Sequence, residues 1–216
     1  MLLKVEKRWV IAFIITAIVA MVSLFWPTKL PDASSGVFLE ENNLVGADIA
    51  WLLASSGLVL LMTPGLSFFY GGMVGKKNVI STMLQSFIAL GVISLVWVVV
   101  GFSLSFGDSL GFYIGKEHYG IIGNPLSFTF FNQVGVLPHV KMAPTVPFIL
   151  FALFQMKFAV ITPAIITGSF AERVRFVSYL LFIVLFSLFI YAPLAHMVWS
   201  GDGLLVKFFG IKDFAG

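Results

Sequence analysis

Five long apolar runs, parted alternately by longer mixed loops and tight charged turns, set the pattern of this chain. A bilayer core of about 30 Å takes about 20 residues of helix. On that ruler Trp9–Trp26, Asp48–Val74, Val79–Phe106, Thr145–Phe170 and Val177–Trp199 each predict a membrane-crossing helix, and a further helix is expected to begin after Asp213. Gly75–Asn78, with Lys76 and Lys77, and Ala171–Phe176, with Arg173 and Arg175, read as tight turns. Residues 27–47 and 107–144 are longer, richer in Pro, Gly and Asn, and mixed in charge. Pro64, Pro147, Pro163 and Pro193 fall inside the runs, which packed membrane helices tolerate when neighbours satisfy the freed carbonyls. Gly65, Gly71, Gly72 and Gly75 permit close helix approach.

Composition strengthens this picture. Hydrophobic residues make up 59% and charged residues 11%, against about 25% charged in a typical soluble domain. No soluble exterior of this size could hide so much apolar surface. The expected fold class is therefore all-α, a polytopic membrane helical bundle. The net charge of +3 resides at span ends rather than in a basic stripe, so nucleic acid is not an expected partner. With no cysteine there is no disulfide framework, thiolate metal site or cysteine nucleophile. No phosphate loop, metal-ligand cluster or nucleophile with a base is legible, so no enzyme activity, metal or cofactor is expected.

Charge also orients the spans. Lys4, Lys7 and Arg8 hold the N-terminus inside, and the Lys76/Lys77 and Arg173/Arg175 turns fall on the same side. Residues 27–47 and 107–144 then lie outside. The first run also fits the basic and apolar regions of a signal peptide. No A-x-A site follows it, and Trp26-Pro27 is a poor cleavage context, so an uncleaved helix is favoured.

The fourth run carries the candidate chemistry. Gln155 and Lys157 interrupt apolar sequence there, and polar groups inside a span usually mark a pathway or a packed interface. Phe154 and Phe158 share one helix face about 6 Å apart along the axis, about 13 and 20 Å from the outer end. Trp199 ends the next span on the outer side. Such aromatic faces can bind a small cation. Against this, most of the 24 phenylalanines must pack in the core or face lipid, and a lone Trp199 reads as an interface anchor. Lys157 lies about 60° from Phe154 and 100° from Phe158 around the helix; it either borders the aromatic site or turns to a neighbouring subunit. His196 reads as helix-end packing, and His118 and His139 as solvated loop residues.

The strings MTPGLSFFYGGMVGKKNVIS (62–81), FQMKFAVITPAIITGSFAERVRF (154–176), YAPLAHMVWSGDGLL (191–205) and KDFAG (212–216) resemble signature segments of the ammonium transporter family, in the right order and at suitable separations. The resemblance covers about residues 48–216, the ammonium-transporter-like domain. Residues 1–47 stand outside it as a basic segment, an extra helix or signal, and an outer linker. It implies the first half of an inverted-repeat fold preceded by that extra helix, within a homotrimer of the cell (inner) membrane that carries ammonium or methylammonium. By motif, Phe154 and Trp199 would line the outer vestibule, and Phe158 would be one of the stacked rings closing the pore. Asp213, expected as a carboxylate buried at the start of a helix, would order backbone near the recruitment site by accepting free N–H groups. The aromatic pair points to the ammonium transporter branch rather than the Rhesus-type relatives. A cytoplasmic regulatory protein is a further implied partner, and an ammonium sensor fused to a signalling domain is the alternative function. The family's pore histidines are expected beyond Gly216, so the sequence reads as a piece of a longer protein or a broken frame, supplying one wall of a pore.

Overall fold

The computed structural model describes residues 7–214; Lys4 of the basic N-terminal group, and Ala215 and Gly216 of the last motif, lie outside them. Helices run over Lys7–Phe25 (α1), Gly46–Met73 (α2), Val79–Phe106 (α3), Phe148–Phe170 (α4), Phe176–Trp199 (α5) and Leu204–Phe209 (α6). Each of α2 to α5 is long and apolar enough to cross a bilayer. Their bounds fall within three residues of the expected spans. The extra first helix forms as well, and its Phe13–Phe25 stretch is largely exposed. Just past its end, Trp26 packs on Phe130 at 5.4 Å.

Small polar residues set how closely α2 and α3 approach. Ser56, Thr63, Ser67 and Gly71 are buried along one stripe of α2, and Thr82, Gln85, Ser86 and Ala89 along α3. The Ser67 hydroxyl donates to the Met83 carbonyl at 2.9 Å. A Cβ on Gly71 would lie 2.7 Å from Met83 Cγ, so a larger residue there would force the Met83 side chain to move. Close backbone approach of this kind replaces the hydrophobic drive that lipid removes. Across the bundle Tyr70 donates its hydroxyl to the Ile165 carbonyl at 2.5 Å, and Gly168 leaves room for that ring.

Both α3 and α5 widen by a π-helical turn, at Trp97–Gly101 and Ser187–Tyr191. In α5 the cause is local. Pro193 has no N–H to return to the preceding turn, and the Ala192 N–H reaches instead to the Ser187 carbonyl. In α3, Gly101 leaves space for the Trp97 ring, to which a Cβ there would come within 3.1 Å. The two wide turns face each other, with the Trp97 and Tyr191 rings 6.3 Å apart. Around them lies the core: Trp97, Phe102, Phe106, Phe128, Phe148, Ala152, Tyr179 and Ile183. The Trp97 indole donates to the Ala152 carbonyl at 3.1 Å, so its one polar atom is satisfied when buried.

The connections gather by type, as the charge pattern predicts. At one end the two tight turns meet, where Glu172 accepts from the Gly75 N–H at 2.8 Å and the Asn78 amide at 2.9 Å. At the other end the two long connections pack together. Leu39 donates to the Pro138 carbonyl and Val45 to the Thr145 carbonyl, both at 2.8 Å, with Phe38 buried between. The 107–144 connection is not all loop. It holds an antiparallel hairpin, β1 (Ser109–Ile114) and β2 (Glu117–Gly123), turning at Gly115 with φ +65°. Lys207 of α6 pins the hairpin from outside, 3.6 Å from the Glu117 carboxylate.

Candidate functional site

On α4, Phe154 and Phe158 stand edge to face, with ring centroids 5.0 Å apart and planes at 76°. Both rings are half-buried. The one-turn spacing read from the sequence therefore yields a real ring pair. Lys157, between them in sequence, folds back along the helix, and its ammonium donates to the Leu153 carbonyl at 2.7 Å. Its charge thus sits one turn nearer the Phe148 end of α4, the snorkelling option for a half-buried lysine. The Gln155 side-chain oxygen is buried without a hydrogen-bond partner.

Trp199 closes α5. Its ring stacks on Phe106, the last residue of α3, with centroids 6.1 Å apart and planes within 4°. Its Nε1–H donates to the Asp213 carboxylate at 2.9 Å. Asp213 is exposed rather than buried, and it holds the edge of an indole. The structure thus forms two pairs, Phe154 with Phe158 and Trp199 with Asp213. Among the described residues no ring contact joins Phe154 to Trp199.

Sequence reasoning missed Phe106. The available signal was its place as the last aromatic of an outward-running span, level with Trp199. His196 is fully buried, as a packing residue should be, yet its ring is also hydrogen-bonded at both nitrogens. Nδ1 lies 3.1 Å from the Ser105 carbonyl, which can only accept, so Nδ1 carries the proton. Nε2 then accepts from the Ser109 hydroxyl at 2.9 Å, and Ser109 in turn lies 3.2 Å from the Ser200 hydroxyl beside Trp199.

Of His118 and His139, both expected to be solvated, the expectation fails at His139. His118 is half-buried, its ring 4.8 Å from Tyr113 across the hairpin. His139 is buried, stacked on Phe148 at 4.8 Å, and its Nδ1 accepts from the Lys141 and Met142 N–H groups. Burial pushes its pKa down to about 4, helped by Lys141 and opposed by Asp108. The 107–144 connection buries Phe128 and His139 against Phe148 of α4, a packing no loop composition reveals. No group of three or more His, Asp or Glu gathers as a metal site among the described residues.

Four bilayer-length helices among the described residues, inward-turned polar stripes and an aromatic cluster at one end define a multi-pass helical membrane protein. Residues 50–216 match the model of the Ammonium Transporter Family. The ammonium transporter of Bacillus subtilis is 44% identical over 169 residues, covering 78% of this chain and 39% of that protein. The ammonium transporter of Mycobacterium tuberculosis is 41% identical over 184 residues, covering 79% and 38%. Among solved structures, Candida albicans Mep2 matches with a TM-score of 0.66 at 30% identity, over 79% of this chain and 35% of its own. A structure described as a sensor Amt protein matches at 0.60 and 28% identity, over 72% and 36%. The chain belongs to the ammonium transporter family, a family of transporters rather than enzymes. It spans about two fifths of the length of the curated relatives it matches.

Proposed function

We propose that residues 48–216 form the outer recognition wall and half the pore of an ammonium transporter, with residues 1–47 appended to it. The observation that carries this reading is Trp199, held by a carboxylate at the outer end of α5 in a chain whose relatives are named ammonium transporters. Ammonium or methylammonium arrives from outside and meets the ring faces of Trp199 and Phe154, where cation–π attraction reaches about 2 kcal/mol once water is displaced. Phe158, one turn deeper, is one of the rings that close the path. Ammonium sheds its proton at the vestibule and crosses as ammonia, the proton moving separately. Potassium and sodium lose their hydration with no ligands in return, and apolar walls reject them.

Sites in inverted-repeat transporters lie between two halves, so the activity belongs to the full-length protein. Three copies assemble, each with its own pore, in the cell inner membrane. The Lys76/Lys77 and Arg173/Arg175 turns face the cytoplasm, where a regulatory protein has access. The N-terminus lies on that same side when α1 is retained.

The test is Trp199→Leu in the full-length protein. Methylammonium affinity should fall roughly 5–30-fold. Unchanged affinity at normal expression would reduce Trp199 to an interface anchor. A second reading, ammonium sensing, is favoured by the likeness to the sensor Amt structure. Methylammonium binding without flux in reconstituted vesicles, together with a fused signalling domain, would support it.

A further inference from the structure

We propose that Phe106 is a positioning residue for ammonium recognition: its ring fixes the plane of Trp199, so that only the opposite indole face is offered to the cation. The inference rests on the vestibule reading above. Near-parallel planes, 4° apart at a centroid distance of 6.1 Å, describe an offset stack, the favoured geometry for aromatic pairs. Phe106 itself has no freedom to swing away. It is 6% exposed, with Phe151 edge-on at 5.2 Å, Phe102 at 5.4 Å and Trp97 at 6.2 Å. That cluster is in turn tied to α4 by the hydrogen bond from the Trp97 indole to Ala152.

Trp199 has two side-chain torsions to fix. Phe106 constrains one face, and the Asp213 carboxylate at Nε1 constrains one edge, so together they define the plane. A donated N–H also leaves the indole richer in electrons, which favours a cation over its face. Cation–π attraction requires the ion over the ring, within about 6 Å of its centroid. A ring already held in that pose spends no binding energy on ordering itself. Phe106 touches no cation in this account and acts only through Trp199.

A double-mutant cycle in the full-length transporter, reconstituted in liposomes with methylammonium as the probe, tests the coupling. Phe106→Leu should raise KM about 3–10-fold with kcat retained, and Phe106→Tyr should restore it. In a Trp199→Leu background, Phe106→Leu should add nothing. With 5-fluorotryptophan incorporated, the fluorine resonance assigned to Trp199 by its loss in Trp199→Phe should shift in Phe106→Leu and return in Phe106→Tyr. Additive effects on KM, or a KM unmoved by Phe106→Leu while Trp199→Leu raises it, would overturn the positioning role alone. A silent Trp199→Leu would remove the vestibule reading and the proposal with it, and the fluorine shift would still report the ring contact.

Discussion

The two ends of the helical bundle are built on opposite principles. The end that the proposed topology places inside is two short turns held by one carboxylate, that of Glu172, with Arg173 and Arg175 following it in sequence. The outer end is two long connections, a hairpin and a dense set of stacked rings, with the His196–Ser109–Ser200 chain among them. The inner end is held by polar contacts within or between neighbouring turns. The other end is held by ring contacts, such as Phe106 with Trp199 or Phe38 with Phe148. A clamp of the first kind fixes helix ends with few residues. A scaffold of the second kind can hold a recognition surface rigid.

The largest expected effect breaks or keeps the comparison outright. With no native cysteine, single replacements Lys77→Cys and Lys116→Cys report the side on which each end lies. Both positions are exposed, and neither belongs to the Glu172 or His196 bonds. An impermeant thiol reagent applied to intact cells should modify Lys116→Cys and spare Lys77→Cys, and the reverse result would invert the proposed topology.

A smaller effect is expected between the two ends. Phe158→Ala should alter flux or selectivity for methylammonium while the protein stays assembled, because Phe158 leans on Phe154 and is only half-buried. A packing role would instead cost about 3–5 kcal/mol of stability. Loss of assembly in detergent, with flux per surviving molecule unchanged, would show that the pore axis has been misplaced.

The smallest and most graded effect is on acidification. The folded chain protonates His139 only near pH 4, against an ordinary value of 6.5. The stability held by the neutral ring is therefore complete above 6.5 and declines as pH falls toward 4. Glu172 behaves differently. Its carboxyl is held below the ordinary 4.5 by Asn78 and then Gly75, so its contribution is present above that value and lost only as pH falls further. Amide hydrogen exchange at about pH 5 should accordingly quicken over residues 107–144 before it quickens at 75–78. Earlier opening of the inner turns would contradict the assignment.

Legibility followed the same divide. The spans, the tight turns and the pairing of long connections with one another could be read because length, hydropathy and basic residues act locally. The Phe154–Phe158 spacing was legible for the same reason, since helix geometry alone sets it. The hairpin, buried His139, exposed Asp213 and the Phe106–Trp199 stack were not. The stack depends on a partner remote in the chain, and a Gly- and Asn-rich segment looks alike whether solvated, paired as a hairpin or packed on an aromatic core.

The two widened turns also change how the outer half must be drawn. A π-helical turn accommodates one residue more than an α turn, which shifts the angular phase of everything beyond it by about 100°. Phe106 lies downstream of the wide turn in α3, and Trp199 downstream of that in α5. A single helical wheel drawn from Val79 or from Phe176 would assign both rings to the wrong azimuth. Each span is in effect two helices end to end, the inner one keyed to its neighbours' packing and the outer one free to aim its ring elsewhere.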